Sequence, residues 1–148
     1  MDHLNAPIAG VGAVVWKKNK VLLARRGHPP KAGSWSLPGG KQKLGESVQE
    51  ATLREIDEEA GIRIRIVDIA AVVDLMDRDD QGQVLYHYTV VDLVAEWVAG
   101  DIRAGDDAAE VAWVHPDDFD SFGLSDDVRR VIALAASKRL PQDLEDEP

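Results

Sequence analysis

Apolar positions along the chain change period several times, and each change marks an element. Residues 8–16 run Ile8-Ala9-Gly10-Val11-Gly12-Ala13-Val14-Val15-Trp16, almost without a polar side chain, and read as a buried strand lightened by two glycines. Lys18-Asn19-Lys20 turns the chain into a second strand, Val21-Leu22-Leu23-Ala24-Arg25, so the pair predicts a hairpin. His28 to Ser34, with Pro29, Pro30 and Gly33, reads as loop, and Trp35 to Gly40 as a short extended piece ending in a turn. The pattern then becomes helical. Ser47 and Glu50 fit a capping box, helix formers continue to Ala60, and Gly61 supplies the left-handed residue after the last turn. Ile62 to Val73 reads as strand and Arg78 to Gly82 as turn. Val84 to Val98 reads as one long strand hairpinned to the one before it. Glu110 to His115 predicts a last short strand, and Asp126 to Arg139 a closing amphipathic helix. Strands on both sides of a mid-chain helix, with a second helix at the end, predict an α+β fold with a mixed sheet between helices.

Composition narrows the classes. A chain of 148 residues, 45% apolar and 30% charged, has the profile of a single globular domain over residues 1–148. The acidic end, about residues 141–148, is expected to be a frayed tail. No apolar run approaches the roughly 18 residues of a membrane span, and Met1-Asp2-His3-Leu4 does not open like a secretory signal. The absence of cysteine excludes disulfides and thiolate chemistry, and a cytoplasmic location is the default expectation. The net charge of −10 without a basic stripe argues against a nucleic-acid polymer as partner, and no membrane partner is expected. It would also repel a small phosphate compound unless a bound cation reversed the local field.

The mid-chain helix concentrates that acidity. With Val48 at zero and about 100° per residue, Leu53, Ile56 and Ala60 fall between roughly 80° and 140°, the expected core face. Glu55, Glu58 and Glu59 share a neighbouring face, with small Ala51 among them. Like charges four apart cost a few tenths of a kcal/mol, and carboxylates in a last turn meet the negative end of the helix dipole. A solvated acidic face is the ordinary reading of such a run. The other is a divalent cation: Mg²⁺ or Mn²⁺ suits oxygen ligands and shares its shell with substrate phosphate. Pro38-Gly39-Gly40 just ahead offers backbone that can approach a metal or phosphate closely.

From Gly40 the sequence continues with five residues, Glu46, seven residues, then Arg54-Glu55-Ile56-Asp57-Glu58-Glu59-Ala60-Gly61-Ile62. This stretch resembles the Nudix box, G-x5-E-x7-R-E-U-x-E-E-x-G-U with U aliphatic, at every specified position. A chance match is on the order of 10⁻¹⁰ per start position. The order of elements over about residues 8–137 is also similar to the Nudix fold. The resemblance implies hydrolysis of a nucleoside diphosphate linked to another moiety, with Mg²⁺ or Mn²⁺. It implies Glu55, Glu58 and Glu59 as metal carboxylates and the Gly39 carbonyl as a backbone ligand. It also implies that Arg54 holds the glutamates through ion pairs and that Glu46 braces the loop and helix. An activated water would attack phosphorus in line, its proton going to Glu55 or Glu58, between which the resemblance does not choose.

Outside the box, Asp106 and Asp107 follow Gly105 in a loop where some Nudix enzymes carry an extra ligand or base; solubilising turn residues is the plainer reading. Arg25 and Arg26 are candidates to hold phosphate or the far moiety, and Gly40 to let substrate approach the backbone. Trp35 is the aromatic candidate for stacking a nucleobase, whereas Trp16, Trp97, Trp113 and His87 read as sheet residues. The segment from His87 to Leu93, with Gly105 to Ala108, is similar to bacterial proteins of the ADP-ribose pyrophosphatase type. The expected substrate is therefore ADP-ribose, giving AMP and ribose 5-phosphate. The rivals are a nucleoside triphosphate, oxidised ones included, and a nucleotide sensor without catalysis. A homodimer is common in the family, and nothing in the residues themselves marks a partner surface.

Overall fold

The computed structural model describes residues 6–28, 31–105 and 108–144. Seven strands form one mixed sheet: β1 (Ile8–Lys17), β2 (Lys20–Arg26), β3 (Trp35–Ser36), β4 (Gly39–Lys41), β5 (Arg63–Arg78), β6 (Val84–Ala99) and β7 (Ala108–Val114). Helix α1 (Val48–Ala60) lies on one face. A 3₁₀ segment (Pro116–Phe122) and α2 (Asp126–Ala136) cover the other, and α3 (Pro141–Leu144) ends the described chain.

The central path runs β3-β2-β1-β6-β5, with β4 on β1 and β7 on β2. Strands β1 and β6 are parallel, and the β1–β2 and β5–β6 pairs are antiparallel. Strands β1 and β2 stay paired only near their turn, at Trp16–Val21 and Lys17–Lys20. Beyond that they splay, and the segment 35–41 fills the wedge. Its first half pairs with β2 through Trp35 and Ser36; its second pairs with β1 through Gly39, Gly40 and Lys41. Pro38, which has no amide hydrogen to place, sits at the changeover and accepts from the Ala13 amide at 3.1 Å.

Alternation along β1 divides the core. Ala13 and Val15 pack with Leu22, Ile56, Ala60 and Ile62 under α1. Val14 and Trp16 pack with Val94, Phe119, Val131 and Ile132 under α2. The mixed sheet between helices is thus as the sequence predicts.

Four boundaries differ from expectation. Strand β5 continues five residues past Val73, to Arg78, because it is zipped to β6 along its whole length. Helix α2 stops at Ala136, short of the expected Arg139, and the residues that follow are tied to the sheet by their side chains, Arg139 gripping Glu96 at 2.7 and 2.8 Å. The 3₁₀ segment was not anticipated; His115 Nδ1 caps it by accepting from the Asp117 amide at 3.0 Å. The frayed-tail expectation fails for residues 141–144, which form a helical turn whose Asp143 accepts from Arg65 at 2.6 Å; residues 145–148 lie outside the described part. Close to that turn, Lys138 Nζ donates to the Ile69 carbonyl on β5 at 2.7 Å.

Candidate functional site

Helix α1 begins where the sequence places its cap. The Ser47 side chain accepts from the Glu50 amide at 3.0 Å, and the Glu50 carboxylate accepts from the Ser47 amide at 2.9 Å; such a box contributes about 1 kcal/mol. Of the core face the wheel predicts, Ile56 and Ala60 are buried as expected, but the buried arc is turned away from Leu53. Ala51, Thr52, Ile56 and Ala60 are buried, whereas Leu53 is 43% exposed. The arc is turned toward the glutamates because the opposing strands offer glycine there. A Cβ on Gly40 would stand 2.4 Å from the Glu55 carboxyl carbon, and the Gly39 amide donates to Glu59 Oε2 at 2.8 Å. Glu55 and Glu59 therefore enter the contact between helix and sheet, instead of lining a separate acidic face.

Arg54 organises the remaining carboxylates. Its Nε and Nη2 grip Glu46 bidentately at 2.6 and 2.9 Å. Its Nη1 donates to Glu55 at 2.8 Å and to Glu58 at 3.0 Å, and Nη2 also reaches the Lys41 carbonyl at 2.9 Å. One guanidinium thus ties the loop after β4 to two carboxylates of α1, Glu55 and Glu58. Arg54 and, to a lesser degree, the Lys43 amide hold the Glu46 carboxyl down at about 2. The Glu46 hydrogen bond in turn pushes Arg54 above the ordinary guanidinium value. Glu46 also fixes the loop, accepting from the Lys43 amide at 2.8 Å while its own carbonyl accepts from Gln42 at 2.7 Å.

The C-terminal end of α1 has no basic residue in its last turn. Backbone caps it instead. Gly61 donates to the Asp57 carbonyl at 2.9 Å, Arg103 to Ala60 at 3.0 Å and Gly105 to Glu59 at 2.8 Å. The Gly105 approach is so close that a Cβ would lie 1.7 Å from the Glu58 carbonyl oxygen. No local pattern ahead of Gly105 signals this docked loop. Asp106 and Asp107, the next two residues, lie outside the described part.

The other expected residues have contacts of their own. Arg25 pairs across the sheet with Glu110 at 2.7 Å. The Arg26 amide donates to the Ser34 carbonyl at 2.9 Å. Trp35 stands half-buried, edge-on to Phe122 with ring centroids 4.9 Å apart. His87 lies beside Asp74 at 3.7 Å within the β5–β6 pair. A carboxylate the sequence reading passed over is Asp92, in the middle of β6 and only 5% exposed, which burial pushes up to about 6. The signal was one acid in the apolar run Val90-Val91-Asp92-Leu93-Val94.

Glu55, Glu58 and Glu59 do not converge as one metal cluster among the described residues. Arg54 draws Glu55 and Glu58 to its side, and Gly39 draws Glu59. The donor set still fits a hard divalent cation: only oxygens are offered, and the Gly40 cradle keeps the Glu55 carboxylate against bare backbone.

A family model described as NUDIX domain matches residues 6–135. The chain is 38% identical over 104 residues to an ADP-ribose pyrophosphatase of Methanocaldococcus jannaschii, covering 70% of this chain and 59% of that protein. It is 31% identical to the nucleoside triphosphatase NudI of Salmonella arizonae, over 69% of this chain and 76% of that one. Among solved structures, a MutT NUDIX hydrolase from Burkholderia pseudomallei superposes with a TM-score of 0.73 at 29% identity, covering 88% of this chain and 98% of the other. Less than two thirds of the Methanocaldococcus protein's length is thus represented here.

Proposed function

The chain belongs to the Nudix family, and on that premise we propose that it hydrolyses the pyrophosphate linkage of a nucleoside diphosphate joined to another moiety. The observation that carries the reading is the Arg54 hub. It holds Glu46, Glu55 and Glu58 beside the Gly39–Gly40 backbone, and the carboxylates it gathers toward the C-terminal half of α1 stand where a cation is preferred. The resemblance to the Methanocaldococcus protein favours ADP-ribose as substrate, with AMP and ribose 5-phosphate as products. Resemblance to NudI over three quarters of its length supports a second reading, a nucleoside triphosphate cut to monophosphate and pyrophosphate.

Glu55, Glu58 and Glu59, with backbone oxygen from Gly39, would hold Mg²⁺ or Mn²⁺. When bound, the cation supplies charge neutralisation of the diphosphate and activation of water. The chain's own residues do the positioning. Arg54 keeps Glu55 and Glu58 oriented, Glu46 keeps Arg54 oriented, and Gly40 admits the phosphates to the backbone. Glu58, whose side chain is half exposed, takes the proton from the attacking water, while Glu55 stays closed against Gly40.

A product assay with Mg²⁺ or Mn²⁺ over ADP-ribose, nucleotide sugars, dinucleotides and nucleoside triphosphates tests this. AMP and ribose 5-phosphate from ADP-ribose, abolished by EDTA, is the expected result. Pyrophosphate from a triphosphate would move the substrate to the second reading. Nucleotide binding without turnover of any compound would overturn catalysis in favour of sensing. Glu58→Gln should lower turnover by at least about a hundredfold with an unchanged melting temperature; near-full activity would sink the role given to Glu58.

A further inference from the structure

Strand β6 carries one buried acid with no counterpart. Asp92 is 5% exposed, and its carboxylate takes no hydrogen bond from the described residues; burial is the one influence on its proton affinity. A buried polar group left in that condition costs stability and calls for an explanation. The neighbouring strand is shaped to keep it there. Gly12 is paired with Asp92 across the parallel β1–β6 ladder, and a Cβ on Gly12 would stand 2.2 Å from Asp92 Oδ1. Any other residue at position 12 would displace this carboxylate.

The carboxylate also has a defined place relative to the candidate site. Gly12 pairs on its other side with Gly39, whose amide holds Glu59. The Pro38 carbonyl lies 3.5 Å from the point where a Gly12 Cβ would be. Asp92 is thus two strand spacings from Gly39, roughly 10 Å, and on the sheet face opposite α1, the face shared by Val14 and Val94. Trp35 and Leu37 pack against that same side. Two more side chains are missing from this face where Gly10 and Gly12 pass, so the floor beside Asp92 is peptide backbone.

We infer that Asp92 is a specificity-determining residue, whose carboxylate accepts a hydrogen bond from an N–H or O–H donor on the organic part of the nucleotide. The inference rests on the nucleotide reading above. With the phosphates at Gly39 and Gly40, Asp92 lies two strand spacings away, roughly 10 Å and within the length of the organic part of a nucleotide, and Trp35 packs on the same side of the sheet as Asp92. A site built around a buried acceptor rejects a compound lacking the matching donor far more strongly than an apolar wall would, because the acceptor is then left dry and unpaired. Two donors have this chemistry, an exocyclic amine of the base and a hydroxyl of the sugar, and they can be told apart.

The test compares the parent chain with Asp92→Ala and Asp92→Leu, neither of which can accept a hydrogen bond, on pairs of nucleotides that differ by one donor: the adenine compound against its N6-dimethyl form, and the ribose compound against its 2′-deoxy form. Both KM in turnover and the affinity for the nucleoside monophosphate by calorimetry are measured, with thermal melts to establish folding. The expected result is a loss of at least tenfold in the parent on deleting one of these donors, and less than threefold for the same deletion in both variants. The pair that responds identifies base or sugar. If folded variants discriminate every pair as the parent does, Asp92 has no such role, even though the parent turns over nucleotides. If the parent neither binds nor cleaves any nucleotide, the functional reading fails and this inference fails with it.

Discussion

Glu46 and Asp92 are carboxylates driven in opposite directions by their surroundings, and the difference separates their effects on pH. Glu46, gripped by Arg54 and the Lys43 amide, is held at about 2, so the stability it contributes is present above the ordinary value of 4.5 and is lost as pH falls toward 2. Asp92 sits at about 6 against an ordinary 3.8, so the folded chain binds its proton more tightly than the unfolded chain does. Its contribution is complete below about pH 4 and lost as pH rises through 6. Asp92→Asn, which cannot ionise, should therefore be more stable than the parent at pH 7–8, by on the order of 3 kcal/mol, the gap closing toward pH 4. Urea unfolding at several pH values checks this; a gap that stays flat from pH 4 to 8 would mean that Asp92 is not the destabilised acid described here. A gain in stability on removing a side chain is what a position kept for binding would show.

At the scale of elements, α1 shows what the sequence could and could not disclose. Its start, its end and its spacing of glutamates were all legible, because caps and motif residues act within a few positions of one another. Its orientation was not. The wheel makes Leu53 a core residue, since it weighs hydrophobicity alone. The helix instead turns Glu55 and Glu59 toward the sheet, because Gly39 and Gly40 across the gap have no side chains to meet them. Likewise the loop that caps α1 comes from residues more than forty positions downstream, and no local pattern announces such docking. Its importance is testable at Gly105, where a methyl group would meet the Glu58 carbonyl at 1.7 Å. Gly105→Ala should lift the loop and cost the bonds from Gly105 and Arg103, about 2 kcal/mol together. That corresponds to a melting temperature lower by roughly 4–8 °C. Turnover should fall at least tenfold as the end of the helix loosens around Glu58 and Glu59. An unchanged melting curve would show that this contact carries no weight.

For the whole molecule, fold class and element order were readable from period changes, whereas the wedge between β1 and β2 was not. That wedge depends on a two-residue hairpin contact that parts almost at once, and on Pro38 passing from one strand to the other. It is also what brings Gly39 alongside Gly12, and so sets the glutamates and Asp92 on opposite sides of one thin strip of backbone. At the far margin the sheet ends in β5, a strand of 16 residues with Val72, Leu75 and Met76 exposed. Such a margin would ordinarily template a strand from another chain and seed aggregates. Here its pairing register shifts between Ile66 and Asp68 and again between Ile69 and Ala71, and the lysine amine at position 138 already occupies the Ile69 carbonyl. Replacing that amine, Lys138→Ala, should leave turnover unchanged while shortening the lag before light scattering rises in a concentrated, warmed sample; an equal lag would assign the protection to the register shifts alone. One side chain just beyond the closing helix thus helps decide whether crowded copies of the molecule remain separate.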